Sequence, residues 1–287
     1  MRTRRSDLGG PGLRRTTRIA GWGTGAAGVA VAVLVVLGPA TFARSPVGPA
    51  TGAPYAGMGV VLSTTWKVAG CGKASITSAP AFSPTTGVGG FGGSASAKGC
   101  GSPTPGDLGV AIAQIELTYP INTSATGRHT VTVVWSTILN GSATERAGRC
   151  TPNATAATAS CDRIASAFVF GYATLIDATN GTRLPSSAWP GNFTTSETNT
   201  SCVFGTCTTT TTGPGSGSIV GSFPWAWSWS KVFLNATHAY LLDMVLYGGA
   251  VASLTTFAAT LRGASASATL NSATGGNQES ITSITVK

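Results

Sequence analysis

Residues 19–43 carry no charged side chain, and at their centre lies the unbroken apolar run AAGVAVAVLVVL of residues 26–37. Arg2, Arg4, Arg5, Arg14, Arg15 and Arg18 precede it, against a single acid, Asp7. A basic flank of this kind stays in the cytoplasm, so everything C-terminal to the segment is expected on the far side of a membrane. At 1.5 Å rise per residue the segment is long enough to cross a hydrocarbon core of ~30 Å. Residues 19–43 therefore read as a transmembrane signal anchor, because residues 1–18 make a long n-region for a secretory signal. The alternative is a signal peptide cleaved after Gly38 and Pro39, near Thr41 to Ala43. The arginine pairs lack the apolar residues that a twin-arginine signal needs. Val68-Ala69-Gly70-Cys71 lies too far from the apolar run, behind Lys67, to serve as a lipid-attachment box.

Export sets the redox state. Six cysteines in an oxidising compartment are expected as disulfides, and no pair has the C-x2-C spacing of a zinc site. The sequential pairing Cys71–Cys100, Cys150–Cys161 and Cys202–Cys207 closes the three shortest loops. Export also makes the asparagines informative. Of nine, seven begin Asn-x-Ser/Thr: Asn122, Asn140, Asn153, Asn180, Asn192, Asn199 and Asn235. Glycosylation is expected at these positions, although Asn140 and Asn180 also precede glycine and could be turn residues.

The net charge of +9 suggests a nucleic-acid binder until it is divided along the chain. Removing residues 1–44 leaves 18 − 7 = 11 basic and 9 − 1 = 8 acidic side chains. Eleven bases scattered over the external part form no run in the sequence, so nucleic acid is not expected as a partner. Charged residues are only 9% of the chain while 42% are hydrophobic, so polarity comes from Ser, Thr, Gly and Asn, as on hydroxyl-rich strands.

Residues 44–57 are rich in Pro, Gly and Ala and read as a linker. Residues 58–287 read as one extracellular antiparallel β-sandwich, immunoglobulin-like or jelly-roll in type. Alternation places Val60, Leu62 and Trp66 on one face of a first strand, and Val131, Val133, Trp135 and Leu139 on one face of another. Phe168, Phe170, Tyr172 and Ile176 share a face in the same way. Asn140-Gly141 and Asn180-Gly181 read as turns. Residues 71–106 read as a Gly/Ser/Pro-rich excursion, residues 184–200 as a loop, and Thr208 to Thr212 as a flexible run. Strands are expected over 219–233, 238–253, 255–270 and 280–286.

Chemistry-bearing clusters are scarce. His129 and His238 have no ligand-spaced neighbours, so no metal or cofactor is expected. A nucleophile elbow is absent. A hydrolase would need two carboxylates meeting in space, Glu116 and Asp243 being one pair to consider, but no motif supports it and no enzymatic activity is expected. Trp225, Trp227 and Trp229 alternate along one strand with Phe223, so one face is wholly aromatic. Such a face is either half a sandwich core or a platform for stacking on sugar rings. The expected function is therefore a membrane-anchored, glycosylated cell-surface protein of structural or adhesion type, meeting surface proteins or carbohydrate. A carbohydrate-binding module using the three tryptophans is the alternative, and a secreted hydrolase a third.

Overall fold

The computed structural model describes residues 45–47, 58–100, 106–184, 187–212, 216–271 and 279–287; side chains at 45–47, 100, 187–193, 195, 212, 216 and 219 are outside that description. The segment 19–43, with its expected anchor, lies outside the described residues. No helix among the described residues is long and apolar enough to cross a membrane.

Among the described residues fifteen strands follow one another: β1 (Ser45–Val47), β2 (Gly59–Ala69), β3 (Lys73–Ser83), β4 (Val88–Cys100), β5 (Asp107–Ile121), β6 (Gly127–Arg146), β7 (Arg149–Pro152), β8 (Thr158–Asp177), β9 (Thr182–Arg183), β10 (Ser187–Val203), β11 (Thr206–Thr212), β12 (Ser216–Leu234), β13 (Tyr240–Phe257), β14 (Ala259–Asn271) and β15 (Glu279–Val286). They form two wholly antiparallel sheets packed as a sandwich. The first runs β1-β2-β5-β13-β8-β10-β11, with β9 on β8. In the second, β3 pairs β4, and β14 and β15 share the lane between β4 and β6 while β12 borders the far side of β6.

Period-two alternation decides which side chains meet between the sheets. Ile115 and Leu117 of β5, Leu242, Met244 and Leu246 of β13, and Val169, Ala173 and Leu175 of β8 point inward from the first sheet. Phe91, Val131, Val133, Trp135, Leu139 and Trp225, Trp227 and Trp229 meet them from the second. Trp135 packs against Trp225 edge-on at 6.1 Å and against Phe82 at 6.2 Å, and Trp225 against Trp227 at 4.7 Å. Rings this large need room opposite them. Gly171 provides it for Trp225, whose Cη2 would lie 3.0 Å from any Cβ placed there, and Gly248 leaves the same space for Phe91.

Toward one end the aromatic core gives way to alanine. Ala95, Ala97, Ala143, Ala165, Ala250, Ala252, Ala264, Ala266 and Ala268 form a second buried cluster around Cys161, Leu254 and Leu261. Small side chains bury little area, so this end has less hydrophobic driving force per residue. It is also where the disulfides lie. Cys150–Cys161 and Cys202–Cys207 are formed as expected. Cys71 is disulfide-bonded too, while the side chain at its expected partner, position 100, is outside the described ones.

Five local expectations are corrected. Residues 71–106 hold the hairpin β3–β4, because Ser/Ala alternation carries the strand period without large side chains: Ala95 and Ala97 face inward, Ser94 and Ser96 outward. Asn140-Gly141 is no turn. β6 continues to Arg146, since Gly141 pairs with both Ile219 and Leu270. Residues 187–203 are strand, held by β8 along their length, and Thr208 to Thr212 extend beside them as β11. Trp66, though in register with the inward residues of β2, is 64% exposed.

Candidate functional site

The aromatic stripe singled out in the sequence is core. Trp225, Trp227 and Trp229 are 9%, 4% and 6% exposed, so none has a free ring face on which a sugar could stack. Buried tryptophan is the answer expected from area alone, since each ring removes a large apolar surface from water.

A different aromatic group lies on the outward face of the first sheet. In cross-strand order Ser63, Gln114, Tyr247 and Phe170 form one row, and Val61, Glu116, Val245 and Tyr172 the next. Phe168 follows on one side, and Asp243 with Thr174 on the other. The rings stack in series: Phe168 on Phe170 at 5.9 Å, Phe170 on Tyr247 at 5.0 Å, and Tyr247 beside Tyr172 at 6.4 Å. Val110, Ile112, Phe168 and Val251 form a buried cluster here, against which Phe170 and Tyr247 pack half-buried.

Polar groups flank the rings. Ser63 Oγ donates to Gln114 Oε1 at 3.3 Å, and Gln114 Nε2 donates to Glu116 Oε2 at 3.2 Å. Glu116 and Asp243 stand diagonally on neighbouring strands of this same face, a relation that in antiparallel sheets separates residues by ~7–8 Å. Burial raises both phenols above their ordinary value; Asp243 adds most to the rise at Tyr172, and Tyr172 itself to that at Tyr247. Both hydroxyls therefore stay protonated at neutral pH. Chemically the face offers flat rings, hydroxyl and amide donors and carboxylate acceptors, the groups that recognise a sugar ring. Three of the four rings were visible in the sequence as the Phe168, Phe170, Tyr172 alternation, and Glu116 with Asp243 as a carboxylate pair. Tyr247, the lone aromatic ring in the middle of its strand, was not.

The other singled-out residues lie apart. His238 Nδ1 pairs with Asp177 Oδ2 at 2.6 Å at the end opposite the disulfides. Although burial works the other way, the hydrogen bonds from His238 and from Thr179 N hold the Asp177 carboxyl below its ordinary range. His129 Nε2 contacts Ala125 O and Thr123 Oγ1. No group of metal-ligating side chains occurs among the described residues. Asn122, Asn140, Asn153 and Asn180 are exposed, Asn235 is half-buried, and the Asn199 amide donates to Asp162; the Asn192 side chain is outside the described set. Thr237, third residue of its sequon, donates its hydroxyl to Asn235 Oδ1 at 2.9 Å.

No protein-family model matches the chain, and neither the characterised proteins nor the solved structures contain a match.

Proposed function

We propose that the chain is an adhesion-type cell-surface protein: a sandwich of immunoglobulin-like or jelly-roll kind, displayed from a membrane by residues 19–43, glycosylated at its exposed sequons, and acting as a binder rather than an enzyme. Its ligand on this reading is carbohydrate, taken on the outward face of the first sheet. One observation carries the proposal: the half-buried rings Phe170, Tyr247 and Tyr172, packed in series over the buried Phe168 and flanked by Gln114, Glu116 and Asp243. The role first considered for Trp225, Trp227 and Trp229 passes to this face, because those indoles lie in the core.

The test is glycan-array screening of the intact protein, followed by Tyr247→Ala and Phe170→Ala. Loss of at least tenfold in affinity with a cooperative unfolding transition retained supports the reading. Binding that survives both substitutions, or no glycan bound at all, removes it and leaves a purely structural surface role. The disulfide-braced end favours that second role.

A further inference from the structure

The outward face of the second sheet carries a feature that the sequence scatters. Lys98 of β4, Ser265 of β14 and Arg146 of β6 lie in one cross-strand row. Arg262 of β14 and Arg149 of β7 are direct partners in the next, and Lys73 pairs with Ser96, two residues from Lys98. All five cations are exposed. Neighbouring strands lie ~4.8 Å apart, so the five occupy one patch at the disulfide end.

Two irregularities build this patch. From Arg146 to Arg149 is three residues, an odd step that would send the two side chains to opposite faces of a regular strand. The break at Ala147 and Gly148 brings Arg149 back to the outward face. In β14 an extra residue between Arg262 and Ser265, opposite Cys100 and Lys98, does the same for Arg262. Each irregularity uses a glycine. Gly263 has φ +69°, and at Gly148 a Cβ would come within 2.5 Å of both Ala264 N and Arg262 O.

The result opposes two arginines directly across an antiparallel pair, an arrangement that destabilises a sheet. No side-chain hydrogen bond or ion pair joins Lys73, Lys98, Arg146, Arg149 or Arg262 to any group among the described residues. Glu145, adjacent in sequence to Arg146, turns inward, where its carboxylate accepts from Thr198. Hydroxyls stand at outward positions around the patch: Ser94, Ser96, Thr144, Ser265 and Ser267.

We propose that this face is a docking surface for an acidic polysaccharide, its carboxylate or sulfate groups held by Lys73, Lys98, Arg146, Arg149 and Arg262 and its hydroxyls by the surrounding Ser and Thr. Charge complementarity selects a polyanion. Among the described residues the patch has no exposed aromatic ring for base stacking and no large apolar side chain to enter a bilayer, so a glycan fits it better than single-stranded nucleic acid or a lipid surface. It is separate from the aromatic face of the first sheet, and either assignment can fail alone.

The experiment titrates the intact protein with alginate as probe, neutral dextran as control, and phosphatidylglycerol vesicles and single-stranded DNA as competitors. Alginate is expected to bind at low ionic strength, with affinity falling at least tenfold as screening tightens from about 0.05 M to about 0.5 M salt. Arg149→Ser/Arg262→Ser is expected to weaken binding at least tenfold with melting temperature unchanged or raised, because a repulsive pair is removed. If that double variant misfolds, Lys73→Ser/Lys98→Ser, which leaves both irregularities intact, is expected to weaken binding in the same direction. No alginate binding at low salt, equal binding by the foldable variants, or displacement of alginate by the vesicles or the DNA at equal charge overturns the assignment.

Discussion

Glu279 opens β15 inside the core, fully buried, and its carboxylate accepts from Trp135 Nε1 at 3.0 Å and Thr137 Oγ1 at 2.6 Å. Both donors meet Oε2, and Oε1 has no partner among the described residues. Burial dominates over those two hydrogen bonds and pushes the group up to about 8 from 4.5. The folded state therefore holds a proton that the unfolded state has released across the window from about pH 4.5 to about pH 8. Its contribution to stability is greatest at the acid side of that window, falls as pH rises through it, and is level beyond it. At ~1.4 kcal/mol per unit the full window corresponds to roughly 3–5 kcal/mol, a large part of the stability of an ordinary domain. The measurement is urea unfolding, followed by tryptophan fluorescence with disulfides intact, at pH 5, 7 and 9. Wild type should lose stability steadily between pH 5 and 9, and Glu279→Gln, which cannot ionise and keeps an oxygen for the two donors, should lose much less. Tyr172 and Tyr247, both raised, titrate above this range and do not blur the comparison. If the two proteins follow parallel profiles within about 1 kcal/mol, Glu279 is not protonated in the folded state and the reasoning fails.

Two further perturbations read the packing and the hairpin tip. Trp227→Ala should cost about 3–5 kcal/mol in the same assay, since the ring is 4% exposed against Trp225; an unchanged melting temperature would mean that the indole is not part of the core. Phe204, at the tip between β10 and β11, is 83% exposed with φ +46°. Left-handed backbone costs a bulky residue ~1–2 kcal/mol and asparagine less, so Phe204→Asn should raise the melting temperature by a few degrees, and a drop would show that the ring makes a contact worth more than its strain.

The β class, the strand at β6 and the cores of β8 and β12 were legible because large apolar residues alternate there. Val131, Val133, Trp135 and Leu139 all face inward as their spacing requires. β3, β4, β10 and β11 were not legible. Apart from Phe82, Phe91 and Cys202 their buried positions are mostly Ala, Gly, Ser or Thr, and alternation among small residues looks like a linker to any measure of hydrophobicity. Turn chemistry misled for a related reason: Gly141 follows asparagine yet sits in mid-sheet, where strands on both sides supply its hydrogen bonds. The two cysteine pairs closest in sequence were readable because each closes a short loop: one links the consecutive strands β7 and β8 from one sheet to the other, the other two strands of a single hairpin.

Electrostatics was the least legible property, and the reason is geometric. Eleven bases over residues 45–287 look dispersed because five of them lie on five different strands, from Lys73 to Arg262. Antiparallel pairing folds that span back on itself, and the shared lane of β14 and β15 brings β4 and β6 within two strand spacings of each other. Parity then decides the face, and parity is what Ala147-Gly148 and Gly263 change. A count of charges along the chain cannot register a one-residue shift of phase, yet that shift puts Arg149 and Arg262 beside Arg146 on the outward face. The acids follow the opposite course: Glu145 and Glu279 face inward, where burial raises both carboxyls. The second sheet thus presents bases outward and takes acids inward, so its outer surface is far more basic than the small net charge of residues 45–287 suggests.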